Sequence, residues 1–219
     1  MKKQTLSESS LYENCFHYKE ERSTRKFLLV VAILLSLFLV VLYGWRATYG
    51  GVEVDGASMN RTLKDGDMLL LRYCNFGAKA ERGDVIVVDV RGYEECGNTK
   101  FLIKRLIAVE GDSLYCEDGQ IYIRYAGTEE FVALQETYAY YTHKYDYDFA
   151  QYDVQEGEVF FLGDNRNNSL DSRYQEGKSH LTDALYRETD IYGIVPTWAI
   201  KYQSVFEKIF FAGGAHSAG

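Results

Sequence analysis

Residues 27–45 constrain this chain more than any other segment. The run is apolar from Phe27 to Trp45 apart from Ser36 and Gly44. Nineteen residues of helix rise about 1.5 Å each, about 28 Å in all, close to the hydrocarbon thickness of about 30 Å. A backbone in lipid must satisfy its own hydrogen bonds, so the run is expected to be a spanning helix. A removable secretory signal has a shorter apolar region, about 7 to 15 residues, followed by a small-x-small site. Ala47-Thr48-Tyr49-Gly50 makes a poor site of that kind, so the helix is read as a retained anchor.

Lys19, Arg22, Arg25 and Lys26 precede the span, whereas Arg46 is the only basic residue in the next dozen positions. This asymmetry keeps the amino terminus in the cytoplasm. The expected organisation is a cytoplasmic tail over 1–26, a single-pass anchor over 27–45, an extracytoplasmic domain over 46–212 and a flexible tail over 213–219. The chain carries 24 Lys and Arg against 32 Asp and Glu, and leaving out the tail gives 18 against 28. So acidic a domain argues against nucleic acid, whose phosphates need clustered basic side chains. Cys15 falls inside; Cys74, Cys96 and Cys116 fall outside, without the spacing of a zinc site. One bridge plus a free thiol and three unpaired thiols are both open readings. No metal or cofactor is expected.

After the anchor, runs rich in β-branched and aromatic residues alternate with Gly- and Asp-containing turns, which predicts strands over 68–73, 84–90, 101–109, 113–116, 120–125, 158–162 and 191–200. The fold class is therefore mainly β, an antiparallel domain preceded by one transmembrane helix. The Tyr-rich stretch between Tyr125 and Asp153 has no clean period and reads as an acidic surface insertion whose rings cover the sheet, in preference to an aromatic binding surface. Residues 206–211 read as a short amphipathic turn.

Three separated segments carry chemistry: Gly56-Ala57-Ser58-Met59; Lys104-Arg105, followed by Gly111-Asp112; and residues 163–173, Gly-Asp-Asn-Arg-Asn-Asn-Ser-Leu-Asp-Ser-Arg. A serine hydroxyl is a weak nucleophile without a base. His143 and His180 lie in loop-like sequence, so Lys104 is the better base. On alternation it shares a strand face with Leu102 and Leu106, where desolvation disfavours the ammonium form. Working near neutrality would need its pKa to fall by about 3 from about 10.4. Alone, Ser58 reads as a turn serine and Lys104 as a lysine that snorkels to water; their combination with the third segment changes both readings.

That combination resembles the bacterial type I signal peptidases, membrane-bound Ser/Lys proteases that remove signal peptides from exported proteins. The resemblance rests on the Gly-x-Ser-Met box with Thr62-Leu63 and Gly66-Asp67, on Arg82-Gly83-Asp84, on Lys104-Arg105 with Gly111-Asp112, and on the box over 163–173. It implies Ser58 as nucleophile, neutral Lys104 as general base, Ser169 as a hydrogen-bond partner orienting the amine, an Asp171–Arg173 ion pair, and Asp164 with Asn165 shaping the loop. The Ser58 N–H would face the oxyanion. Gly56 stands where some members carry a second hydroxyl. Arg61 and Glu110 stand where the family usually has proline, which is expected to loosen two turns.

The implied partners are signal peptides with small residues at the first and third positions before the cut, and membrane lipid. Ser58 lies 13 residues beyond Trp45, a tether of at most about 45 Å. Met59 could dip into the lipid interface or pack inside. Two other readings are a membrane-anchored binding module using the Tyr-rich stretch, and a processing enzyme for a narrow set of clients.

Overall fold

The computed structural model describes residues 8–93, 96–142, 148–173 and 186–203, with side chains from Arg22 onward apart from Phe76. His143, His180 and the segment over 206–211 lie outside the described residues, and so does the side chain of Cys15. Contacts divide the chain into two units, one ending at Ala47 and one beginning at Thr48.

The described part of the first unit belongs to helix α1, Glu8–Thr48, whose stretch Arg22–Thr48 is long and apolar enough to cross a membrane. Its apolar side chains from Phe27 through Trp45 are exposed, as expected of a helix whose outer surface suits hydrocarbon.

The second unit is built from ten strands: β1 (Tyr49–Glu53), β2 (Met68–Tyr73), β3 (Val85–Asp89), β4 (Phe101–Val109), β5 (Ser113–Glu117), β6 (Gln120–Arg124), β7 (Val132–Ala133), β8 (Phe149–Asp153), β9 (Val159–Leu162) and β10 (Ile191–Val195). They form a six-stranded sheet in the order β1-β2-β10-β3-β4-β9 and a four-stranded sheet in the order β7-β6-β5-β8. The strand pairs within both sheets are antiparallel.

The larger sheet is covered on both faces, which explains why β3 reads as continuous Val-Ile-Val-Val rather than alternating. Ile86, Val88, Leu102, Leu106, Phe161 and Ile191 pack on one side. Val85 and Val87 pack on the other with Leu69, Leu71, Met59 and Leu63. Phe160 and Leu162 of β9 join Ile107, Leu114, Ile121 and Ile123 in a third cluster shared with the smaller sheet.

The strand predicted over 191–200 stops at Val195. Pro196 N-caps a short helix α2, Thr197–Lys201, because its ring fixes φ and removes the donor a strand needs. Among the described residues no disulfide joins Cys74, Cys96 and Cys116, which favours the reading without a bridge among them.

Candidate active site

Ser58 lies in the connection between β1 and β2, on a tight turn where the Asn60 N–H donates to Ala57 O at 3.1 Å and the Leu63 N–H to Met59 O at 2.9 Å. Met59 and Leu63 are 1% and 0% exposed. Met59 therefore packs in the core, and with Leu63 it anchors the turn while Ser58 remains partly accessible.

Lys104 sits in β4 opposite Ile86 of β3, on the face that carries Leu102 and Leu106, as its alternation implies. It is 2% exposed. Its Nζ donates to Ser58 Oγ at 2.7 Å and to Ile103 O at 3.0 Å. Burial lowers its pKa to about 8, partly offset by the negative charge of Asp171 and Asp164. A serine hydroxyl in direct contact with a desolvated amine of depressed pKa is the arrangement needed for proton transfer out of the hydroxyl. Among the described residues the Ser58 backbone N–H finds no acceptor, so it is available to an incoming oxyanion.

The loop over 163–173 follows β9 and holds the turn in place. The Asn165 N–H donates to Ser58 O at 2.9 Å, and Asn165 Nδ2 donates to Ala57 O at 3.0 Å. A Cβ on Gly163 would come within 2.6 Å of Ser58 O and would collide with the Ser169 side chain, so only glycine permits this approach. Asp164 is buried and accepts two hydrogen bonds from Arg105, at 2.8 and 2.6 Å, and a third from Thr62 Oγ1. Arg105 also donates to Gly83 O at 2.7 Å and lies 3.9 Å from the centre of the Tyr138 ring.

Asp171 is fully buried. Burial alone would push its carboxyl up, but the Arg173 guanidinium and the Gly163 N–H hold it below the usual carboxylate range. Arg173 Nε and Nη2 reach it at 2.8 Å each, so the expected ion pair is present. Ser169 Oγ is buried without completing a hydrogen bond of good geometry, and the Lys104 amine is directed to Ser58 and Ile103 rather than to it. Gly56 adopts φ +91°, which favours glycine, and its N–H donates to Asp65 Oδ1 at 2.7 Å.

The structure also brings in side chains that motif reading missed. Glu136 pairs with the buried Arg166 through both carboxylate oxygens. The Tyr140 N–H donates to Asp164 O at 2.7 Å, and the Arg166 N–H donates to Tyr140 O at 2.9 Å. Part of the Tyr-rich stretch is thus knitted to the loop that holds Ser58, and is more than a cover for the sheet. Arg82 is held by Asp112 in a two-bond pair at 2.6 and 2.7 Å, tying together two of the sequence boxes. Arg61 and Glu110 each make a contact of their own: Arg61 lies 4.2 Å above the Tyr140 ring, and Glu110 accepts from the Gly157 N–H at 3.0 Å.

Residues 25–198 match the family model described as "Signal peptidase, peptidase S26". Signal peptidase I of Bacillus licheniformis is 34% identical over 162 residues, covering 70% of this chain and 83% of that protein. Signal peptidase I U of Bacillus subtilis (strain 168) is 27% identical over 179 residues, covering 78% and 90%. A crystal structure of a signal peptidase I from Enterococcus faecalis V583 aligns with a TM-score of 0.40 at 24% identity, over 54% of this chain and 98% of that one.

Proposed function

The chain belongs to the signal peptidase (peptidase S26) family, and from that premise we propose that Ser58 and Lys104 are the nucleophile and general base with which it cuts. It is a serine peptidase that removes signal peptides, and that reading sets aside the non-catalytic binding module. In the proposed mechanism neutral Lys104 takes the Ser58 proton as Oγ attacks the scissile carbonyl. The Ser58 N–H receives the oxyanion, and the protonated amine then returns its proton to the leaving amine, so that water can release the acyl group by the same route. Asp171, Arg173 and Asp164 keep the loop charged yet internally paired. Ser169 supplies a hydroxyl to the amine once Ser58 has given up its proton, and the lack of a bond on its buried Oγ supports this role. Gly56 leaves the oxyanion to backbone donors.

The observation that carries the proposal is the 2.7 Å contact between Lys104 Nζ and Ser58 Oγ inside a desolvated site. The placement of basic residues before α1 supports a cytoplasmic amino terminus and a catalytic domain on the far side, beside the membrane lipid. There it meets the end of a signal peptide as it leaves the bilayer. The test is cleavage of a precursor with alanines at the first and third positions before the cut. Wild type should cut at that site, while Ser58→Ala and Lys104→Ala should each lose activity by at least a thousandfold. Cutting that survives Ser58→Ala would mean another nucleophile.

A further inference from the structure

The arginines of the strand and loop that hold Ser58 are neutralised. Arg105 is paired with Asp164, Arg166 with Glu136 and Arg173 with Asp171. Arg61 differs: among the described residues no carboxylate pairs with it and no acceptor takes its N–H groups. Its position is nevertheless well defined. Its backbone lies between the buried anchors Met59 and Leu63, its side chain is exposed, and its guanidinium rests 4.2 Å from the centre of the Tyr140 ring. Tyr140 is itself fixed by its two backbone hydrogen bonds to Asp164 and Arg166. Stacking of this kind leaves the edge of the guanidinium, with its five donors, open to a second partner.

We infer that Arg61, held on Tyr140, forms a carboxylate-binding subsite that favours preproteins with Asp or Glu among the first three residues of the mature chain; this rests on the signal peptidase reading above. Arg61 follows Ser58 by three positions, so their Cα atoms are at most about 11 Å apart, and an extended substrate advances about 3.3 Å per residue. A carboxylate on any of the first three residues beyond the cut falls inside that reach. The residues before the cut end a signal peptide, where the cleavage site is small and the preceding stretch apolar. The mature side is left as the source of the charge. Arginine suits the role because its planar fork takes a carboxylate through two parallel hydrogen bonds.

The test uses the full chain and precursors identical except for Glu, Gln or Lys at mature positions one, two and three in turn, assayed in detergent and in vesicles with and without phosphatidylglycerol. An exposed pair is worth up to about 1 kcal/mol, so wild type should prefer Glu over Lys by roughly three- to fivefold in kcat/KM at one of these positions, less at high salt. Arg61→Ala should flatten that ranking and Arg61→Glu should invert it, while Arg61→Lys should keep a reduced preference. Cleavage without any charge ranking, or a ranking unchanged in Arg61→Ala, overturns the subsite and leaves the signal peptidase reading standing. Loss in Arg61→Ala of binding to phosphatidylglycerol vesicles, with no change in ranking, would assign the cation to lipid headgroups and overturn it as well. Failure of wild type to cut any of these precursors would remove both readings.

Discussion

Lys104 carries, at the level of one residue, the stability cost of a buried amine. Its folded pKa of about 8 lies below the ordinary lysine value of 10.5. Between those values the unfolded chain binds more protons, so stability rises with pH across that window and carries its full deficit below it. At about 1.36 kcal/mol for each tenfold change in proton affinity, the deficit at pH 7 is about 3 kcal/mol. Lys104→Met should therefore raise the denaturation midpoint at pH 7, with a gain that shrinks toward pH 10, while activity disappears. In wild type, kcat/KM should climb with pH and level off above about 8; a flat profile from pH 6 to 10 would contradict Lys104 as base. Ser58 and Lys104 were legible in the sequence because each sits in a short box of distinctive composition. Their supports were less so. Thr62 and Asp164 stand 102 positions apart, and Glu136 and Arg166 stand 30 apart; nothing local marks either pair.

At the scale of elements, the strands that could be read were those with an apolar face to bury. β2 and β4 fall on the expected boundaries, and β3, β5, β6 and β9 lie within a residue of them. The strands that escaped lack that pattern: β1 contains Gly50 and Gly51, β7 is two residues long, and β8 buries only Phe149 deeply. The Tyr-rich stretch escaped for another reason. Its role comes from Glu136, Tyr138 and Tyr140 meeting Arg166, Arg105 and Arg61, contacts that no periodicity encodes. Removing Glu136 tests this element. The Arg166 side chain is 0% exposed, so Glu136→Ala takes away the carboxylate that faces a buried charge and should cost about 3 kcal/mol. Thermal unfolding and cleavage should both suffer. Glu136→Asp, which keeps the charge, should recover part of each, and full stability in Glu136→Ala would show that the pair does not hold the loop.

For the whole molecule, the two units suggest separable tasks. Every hydrogen bond described above for Ser58, Lys104 and the loop over 163–173 lies within the unit that begins at Thr48. A chain lacking residues 1–46 should remain folded, cleave a short soluble peptide at a rate close to that of the full chain, and lose most of its advantage on precursors embedded in vesicles, since the anchor supplies local concentration. Comparing kcat/KM for the two substrates checks this; equal losses on both would tie the helix to the site itself. Within the sheet, Lys104 stands opposite Ile86, and its neighbours Ile103 and Arg105 stand opposite Val87 and Val85. A slip of β4 by one residue would turn Lys104 to the other face and withdraw the amine from Ser58. On the proposed Ser58–Lys104 chemistry, peptide cutting therefore doubles as a proofreading mark on assembly: a molecule whose strands have zipped one step out of place is born inert.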